Sequence, residues 1–309
     1  MSIYKKTNNL SEVVRNELLY SILFNNRKRL FPKFQVCLDT IDDSQKAIDH
    51  YFEIPTDFFS NRATLFVYGL LQALYVQQDA LFEIYKCVFT SKDISKNTFF
   101  EQFSLNKQIR ETRNDIVGHP TNRDKESFFF LKRYSLPKNK IEYYADRVDD
   151  LELKSFDLEH FIKNQRKFAD NVLNAVKIEL KEIITKHKSN FKQTKMNDFL
   201  HGSNRQLDLI DRGISDQARS FQAKAGIEGM FEMCDNIKIE ILKRYNDTMP
   251  YDSKAILTKM DLILRKLQQM NESEELLFNQ DAEIAYAALE AKIAALNQLL
   301  KKIDKEFEL

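Results

Sequence analysis

Tryptophan is absent from this chain of 309 residues, and glycine and proline together fill only eleven positions, six and five respectively. A β sandwich or barrel needs turn residues roughly every 8–12 positions, so this scarcity argues against one and favours long helices. Cysteine occurs three times, at Cys37, Cys87 and Cys234. An odd number at such wide spacing suits neither a disulfide framework nor a zinc site and predicts buried thiols in a reducing cytoplasm. Charge of one sign is lacking too: 47 basic residues face 46 acidic ones, a net +1. Nothing global therefore attracts nucleic acid, and any such binding must come from a local patch. The longest mainly apolar run, residues 63–76, is interrupted by Gln72 and is too short to span a bilayer. The opening MSIYKKTNNLSEVV has no apolar core of a signal peptide. These absences lead to the expectation of a cytoplasmic protein with no membrane partner.

What is present supports a packed, helical protein. Hydrophobic residues make up 43% and charged residues 30%, and there are 24 phenylalanines for a core. The length suits about two domains. Helical spacing begins near Asn9 or Ser11, either of which can cap, and recurs over residues 40–52, 62–89, 105–117 and 156–188. Residues 91–103 read as a loop. Pro137-Lys138-Asn139 lies between two aromatic-rich runs, which predicts a β-hairpin near 128–148. The polar stretch 189–205, broken at Gly202-Ser203, reads as the domain boundary. Beyond it, helices are expected near 206–222, 227–247, 252–270 and 275–306. The last of these carries Ala285, Ala288, Ala291 and Ala295, small residues that permit close helix approach. The domain expectation is 1–190 with the hairpin, then a helical domain or hairpin at 206–309. His201-Gly202-Ser203 with Asp208 and Asp211 has the residues of a nucleotidyltransferase site, but that chemistry needs strands and this region reads helical.

The chemistry concentrates in residues 109–123, IRETRNDIVGHPTNR. Arg113, Asn114 and His119 fall within seven residues, and the helical pattern ends at Gly118 and Pro120. An Arg-Asn pair followed at this spacing by His is expected only about 0.05 times by chance in such a composition. Arginine stays charged and can fork onto two phosphate oxygens, and histidine transfers protons near neutral pH. Asn114 can donate to a phosphate or hold the imidazole in one tautomer. RNA brings its own nucleophile, the 2′-hydroxyl, so the reaction does not depend on a metal to generate one. The five histidines are scattered, so no metal site and no cofactor are expected. On a straight helix the six residues from Arg113 to His119 turn through about 240°. The expectation is that His119, preceding a proline, leaves the helix axis and swings towards Arg113. Residues 104–133 hold seven basic and four acidic side chains, a surface suited to a nucleic-acid backbone; Lys107, Arg110, Arg123 and Lys125 are the expected RNA contacts. Gln77-Gln78-Asp79 interrupts a helix that is apolar as far as Val76, and Asp79 is expected to orient a basic residue of the motif.

With Arg113, Asn114 and His119 in the setting TRNDIVGHP, and LYVQQDALFEIY upstream, the chain resembles the HEPN superfamily over about residues 10–188. The resemblance implies a mainly α, HEPN-like helical bundle, to which the hairpin is an addition. It also implies a metal-independent endoribonuclease of the toxin or phage-defence kind, active as a homodimer with a composite site. An antitoxin or defence partner protein is a further implied partner. The alternative is a non-catalytic HEPN-like module for dimerisation or RNA binding.

Overall fold

The computed structural model describes residues 2–27, 29–60, 62–90, 93–105, 107–118, 120–121, 127–132, 137–147, 150–216 and 219–308. The protein is mainly helical with one small antiparallel sheet, and it divides into two compact units. One comprises Met1–Asn16 and Asn26–Lys181, the other Glu17–Asn25 and Glu182–Leu309.

In the first unit, α1 (Ile3–Val14) begins earlier than expected. Ser2, not Asn9 or Ser11, caps it, accepting the Lys5 N–H at 3.4 Å. After the short α2 (Glu17–Phe24), which belongs to the second unit, α3 (Leu30–Glu53) starts ten residues before the expected position. Pro32 conceals this start, but a proline in the first turn has no helical hydrogen bond to lose. Phe34, Leu38, Ile41 and Ile48 form its buried stripe. The short α4 (Thr56–Ser60) precedes α5 (Ala63–Val88), the long helix expected at 62–89. The expected loop at 91–103 contains α6 (Lys96–Gln102), capped by the Ser95 hydroxyl accepting the Thr98 N–H at 3.2 Å. Tertiary burial decides this: Phe99 is fully buried against Phe82, Tyr85 and Phe168 at centroid distances of 5.1, 5.1 and 5.9 Å.

The expected helix 105–117 is shorter and of two kinds. α7 (Gln108–Arg113) passes directly into a π-helical turn, Asn114–Gly118. Then follow β1 (Ser127–Leu131), β2 (Lys140–Arg147) and β3 (Asp150–Asp157), antiparallel in the order β1-β2-β3. The hairpin near 128–148 is therefore part of a three-stranded sheet. The third strand escaped the sequence reading because its two leucines face outward, Leu151 and Leu153 being 57% and 47% exposed, and only Phe156 at its end packs on the core. On the inner face Phe129 pairs with Ala145 and Leu131 with Tyr143. These four share a core with Val67, Leu70, Leu71 and Leu74 of α5 and with Ile109 and Ile116 beside the motif. α8 (Leu158–Ser189) is capped by Asp157, which accepts the N–H of Glu159 at 2.8 Å.

The second unit holds α2, the end of α8, a 3-10 turn (Met196–Leu200), α9 (Ser203–Ser215), α10 (Ser220–Arg244), α11 (Tyr251–Glu272) and α12 (Gln280–Phe307). The domain bounds of 1–190 and 206–309 accordingly need correction at two places. Leu18 is buried in the second core, and so are Met196 and Leu200 from the stretch expected to be the domain boundary. That stretch is fixed because the Asp304 carboxylate accepts the N–H groups of Met196 and Asn197 at 2.6 and 3.1 Å. α9 and α10 touch closely at Gly213, where a Cβ would stand 2.3 Å from that of Ala223. α9 is helical throughout, with Asp208 paired to Arg212, so the nucleotidyltransferase arrangement does not occur. On α12 the buried seam runs through Ala282, Ala285, Leu289, Ile293, Leu296 and Leu300, whereas Ala291 is exposed.

Cys37 and Cys87 are buried free thiols and Cys234 is half-buried. Burial pushes the Cys37 thiol up to about 12 and the Cys87 thiol up to about 11, which keeps both protonated.

Candidate functional site

The site is built where α7 crosses the polar stripe of α5. Gln72, Tyr75 and Asp79 recur at i, i+3 and i+7 and share a helix face, and Arg110 and Arg113 are three apart on α7. Both guanidiniums lie over the Tyr75 ring, with Cζ 3.9 Å from the centroid for Arg110 and 4.4 Å for Arg113. A ring face attracts each cation and so tolerates two of them close together.

The two arginines then differ. Arg110, expected from the sequence as an RNA contact, is instead turned inward on Asp79, with a side chain only 15% exposed. Its Nη1 donates to Asp79 Oδ1 at 2.7 Å and Gln78 Oε1 at 3.3 Å, and its Cζ lies 4.8 Å from the Phe100 centroid. Arg113 is half-buried. Its Nε and Nη2 both donate to Gln72 Oε1, at 3.2 and 3.1 Å, and its Nη1 donates to Asn114 Oδ1 at 3.1 Å. A guanidinium carries five N–H groups. Among the described residues these three bonds leave one hydrogen on each terminal nitrogen of Arg113, a pair able to meet two oxygens of one phosphate.

The π turn begins directly after Arg113. A turn with i→i+5 bonding takes one more residue than an α-turn, which changes the phase that a straight helix would impose; such turns are frequent at functional sites. Asn114 opens the turn beside Arg113. Gly118 closes it, and a Cβ there would stand 2.9 Å from Arg113 Nη1. The missing side chain at 118 is therefore the space the guanidinium occupies. The turn is anchored from below: the Tyr143 hydroxyl on β2 donates to Asp115 Oδ2 at 2.8 Å, and Asp115 is 2% exposed. Just beyond, the Phe129 N–H of β1 donates to the Pro120 carbonyl at 2.8 Å. His119, between Gly118 and Pro120 in sequence, lies outside the described residues, as do Arg123 and Lys125. The expected swing of His119 towards Arg113 therefore lies outside the described residues. What the structure places is Arg113, folded forward to the end of the turn.

The other site residues fall as follows. Asp79 accepts from Arg110 and also from Lys96 Nζ at 2.7 Å, so the basic motif residue it orients is Arg110 and not Arg113. Lys107 is exposed and paired with Glu101 at 2.8 Å. No cluster of three His, Cys, Asp or Glu able to hold a metal occurs among the described residues. No known protein family, curated protein or solved structure matches the chain.

Sequence reading missed Gln72, Tyr75 and Gly118. A signal for the first two existed, because Gln72 interrupts the apolar run 63–76 and keeps helical spacing with Tyr75 and Asp79. Gly118 was read as a helix stop, and only the folded chain shows that it makes room for Arg113.

Proposed function

We propose that the chain is a HEPN-like, metal-independent endoribonuclease acting as a toxin or anti-phage effector. The observation that supports this most is the held guanidinium of Arg113, with two N–H groups left over among the described residues and its tip against Gly118, the residue before His119. In this reading Arg113 forks onto the scissile phosphate and stabilises the extra charge on it. His119 transfers a proton, either from the 2′-hydroxyl or to the leaving 5′-oxygen. Asn114 holds Arg113 and adds a donor from its amide. Arg110, Asp79 and Lys96 brace α7, and Arg123, Lys125 and Lys107 supply the basic surface for RNA. The toxin or defence role, and an antitoxin or defence protein as partner, rest on the family resemblance alone. No helix among the described residues is long and apolar enough to cross a membrane.

The deciding experiment uses the purified chain and RNA in EDTA. Cleavage should persist, leave 2′,3′-cyclic phosphate or its opened form, and stop when the nucleotide at the cut carries 2′-deoxyribose. Cutting of the deoxy substrate, or strict dependence on Mg²⁺, would sink the mechanism. Binding of RNA without any cleavage would instead favour a non-catalytic module.

The reading also requires a second copy. One motif supplies one imidazole, whereas the reaction needs a proton acceptor and a proton donor, and two-fold symmetry brings identical patches together. α5 offers the surface. Leu65 is 68% exposed and Tyr68 36% exposed, two turns and one turn before Gln72 on its face. Light scattering should give twice the 36.5 kDa chain mass. The double variant Leu65→Arg/Tyr68→Arg should be monomeric and lose cleavage. A monomer that cuts at the full rate would overturn this arrangement.

A further inference from the structure

Four glutamines lie in the core of the first unit, where amides are rare and must be bonded. Gln77 and Gln78 of α5 are fully buried, Gln165 of α8 is 1% exposed and Gln45 of α3 is 4% exposed. They form one continuous chain. Arg110 Nη1 donates to Gln78 Oε1 at 3.3 Å, Gln78 Nε2 to Gln165 Oε1 at 2.9 Å, and Gln165 Nε2 to Gln77 Oε1 at 2.7 Å. Gln77 Nε2 then donates to Gln45 Oε1 at 3.2 Å, and Gln45 Nε2 to Asp49 Oδ1 at 2.8 Å. At its far end Asp49 also accepts from Arg166 at 3.3 Å.

The direction of this chain is not arbitrary. A guanidinium can only donate and a carboxylate can only accept. With a cation at one end and an anion at the other, each amide must turn its oxygen towards Arg110 and its nitrogen towards Asp49. Flipping Gln77, Gln78 or Gln165 sets like atoms against each other among buried amides, and flipping Gln45 turns its oxygen on the half-exposed Asp49 carboxylate and its nitrogen on that of Gln77. The aligned amide dipoles also strengthen one another in a medium of low dielectric. The orientation of each amide is thus dictated by the next.

We infer that Gln45, Gln77, Gln165 and Gln78 form an orientational relay that presents a carbonyl to Arg110, fixes α7 on α5 and so places Arg113. They are positioning residues for the site, a role that rests on the function proposed above. Only Gln78 touches an arginine of the motif. The other three act through it.

The test perturbs the relay far from the arginines and reads the arginines directly. The full-length protein is labelled with ¹⁵N-arginine, and the Nε–H resonances of Arg110 and Arg113 are identified from Arg110→Lys and Arg113→Lys. Gln45→Met and Gln165→Met remove links that contact neither arginine. Both should displace the two resonances and lower kcat about tenfold, with KM nearly unchanged, as expected for misplacement of a group acting in the transition state. Val172→Ala, in the same α8 core but outside the relay, should lower the melting temperature and leave the resonances in place. If Gln165→Met does not fold, the triple Gln45/Gln77/Gln165→Met variant replaces the linked amides together by apolar side chains and serves in its stead. Resonances that stay put in the folded glutamine variants, or that move as much in Val172→Ala, overturn the relay. Displaced resonances in a protein that cleaves no RNA would keep the relay and remove the ribonuclease reading. Unmoved resonances in a protein that does cleave would remove the relay alone.

Discussion

Replacing Arg113 or His119 by alanine is expected to lower RNA cleavage by ~10²–10⁴-fold, the loss that follows removal of a general acid or base or of a charge-stabilising donor. The fold should barely register the Arg113 change. Its described bonds go to Gln72, which is exposed, and to its neighbour Asn114, and it stacks on a half-buried ring. Exchange of such bonds with water, plus one cation–π contact, amounts to about 1 kcal/mol. For a unit of this size that is a melting shift of about 2–4 °C. Arg113→Lys should not restore activity, because a lysine keeps the charge and loses the fork. Gln72→Ala should fall between wild type and Arg113→Ala, since it frees the guanidinium without removing it. Cleavage rates and melting curves of the same preparations decide the matter. Variants that melt far below wild type would make these residues structural, and an Arg113→Ala protein that cuts normally would end the assignment.

The second large effect is expected in the other unit. Arg244→Ala should destabilise it by about 3–5 kcal/mol, the usual consequence of removing one partner from a buried ionic cluster. Arg244 is 1% exposed and is the largest fully buried side chain among the described residues. Its Nε lies 3.4 Å from Glu240 Oε1 and its Nη1 3.7 Å from Asp304 Oδ1, while Nη2 donates to the Thr194 carbonyl. The rings of Phe191 and Phe307 lie 5.3 and 5.1 Å from its Cζ. Alanine would leave Asp304, 17% exposed, with only the Met196 and Asn197 N–H groups, leave Glu240 with Lys243 alone at 3.5 Å, and open a cavity between the rings. A loss of this size is a large share of a typical stability of ~5–15 kcal/mol. Arg244→Met should recover the volume but not the charge balance. Arg244→Met/Glu240→Leu should recover more, because a largely buried carboxylate, left with the exposed Lys243 as its one cation, goes together with Arg244. Denaturant unfolding followed by circular dichroism measures all three. Equal midpoints for wild type and Arg244→Ala would show that the cluster contributes nothing net.

Legibility from sequence follows the range of the interactions involved. The helical character, the long α5 and the first two strands could be read because periodicity and turn residues are local signals. The motif could be read because Arg113, Asn114 and His119 are close in the chain. The helix α6 could not, since Phe99 is helical on account of rings from residues 82, 85 and 168. Nor could β3, whose outward leucines carry no pattern pointing to a core. The second unit took α2 and the 3-10 turn through Leu18, Met196 and Asp304, partners more than a hundred residues apart for the turn and its carboxylate.

The chain by itself determined which groups stand near one another along the backbone and what chemistry they can perform: a guanidinium, an amide and an imidazole within seven residues. Only the tertiary structure decided which arginine is available. Arg110 and Arg113 differ by one helical turn and look alike in sequence. One is drawn inward by Asp79 and Gln78, at the end of a glutamine relay reaching across three helices. The other is held from the side by Gln72, with its tip lying over Gly118. That distinction rests on contacts between α5 and α7, on a π turn and on an absent Cβ, and such properties arise when distant segments pack, because hydrogen bonding and steric fit act between surfaces that the sequence does not place side by side.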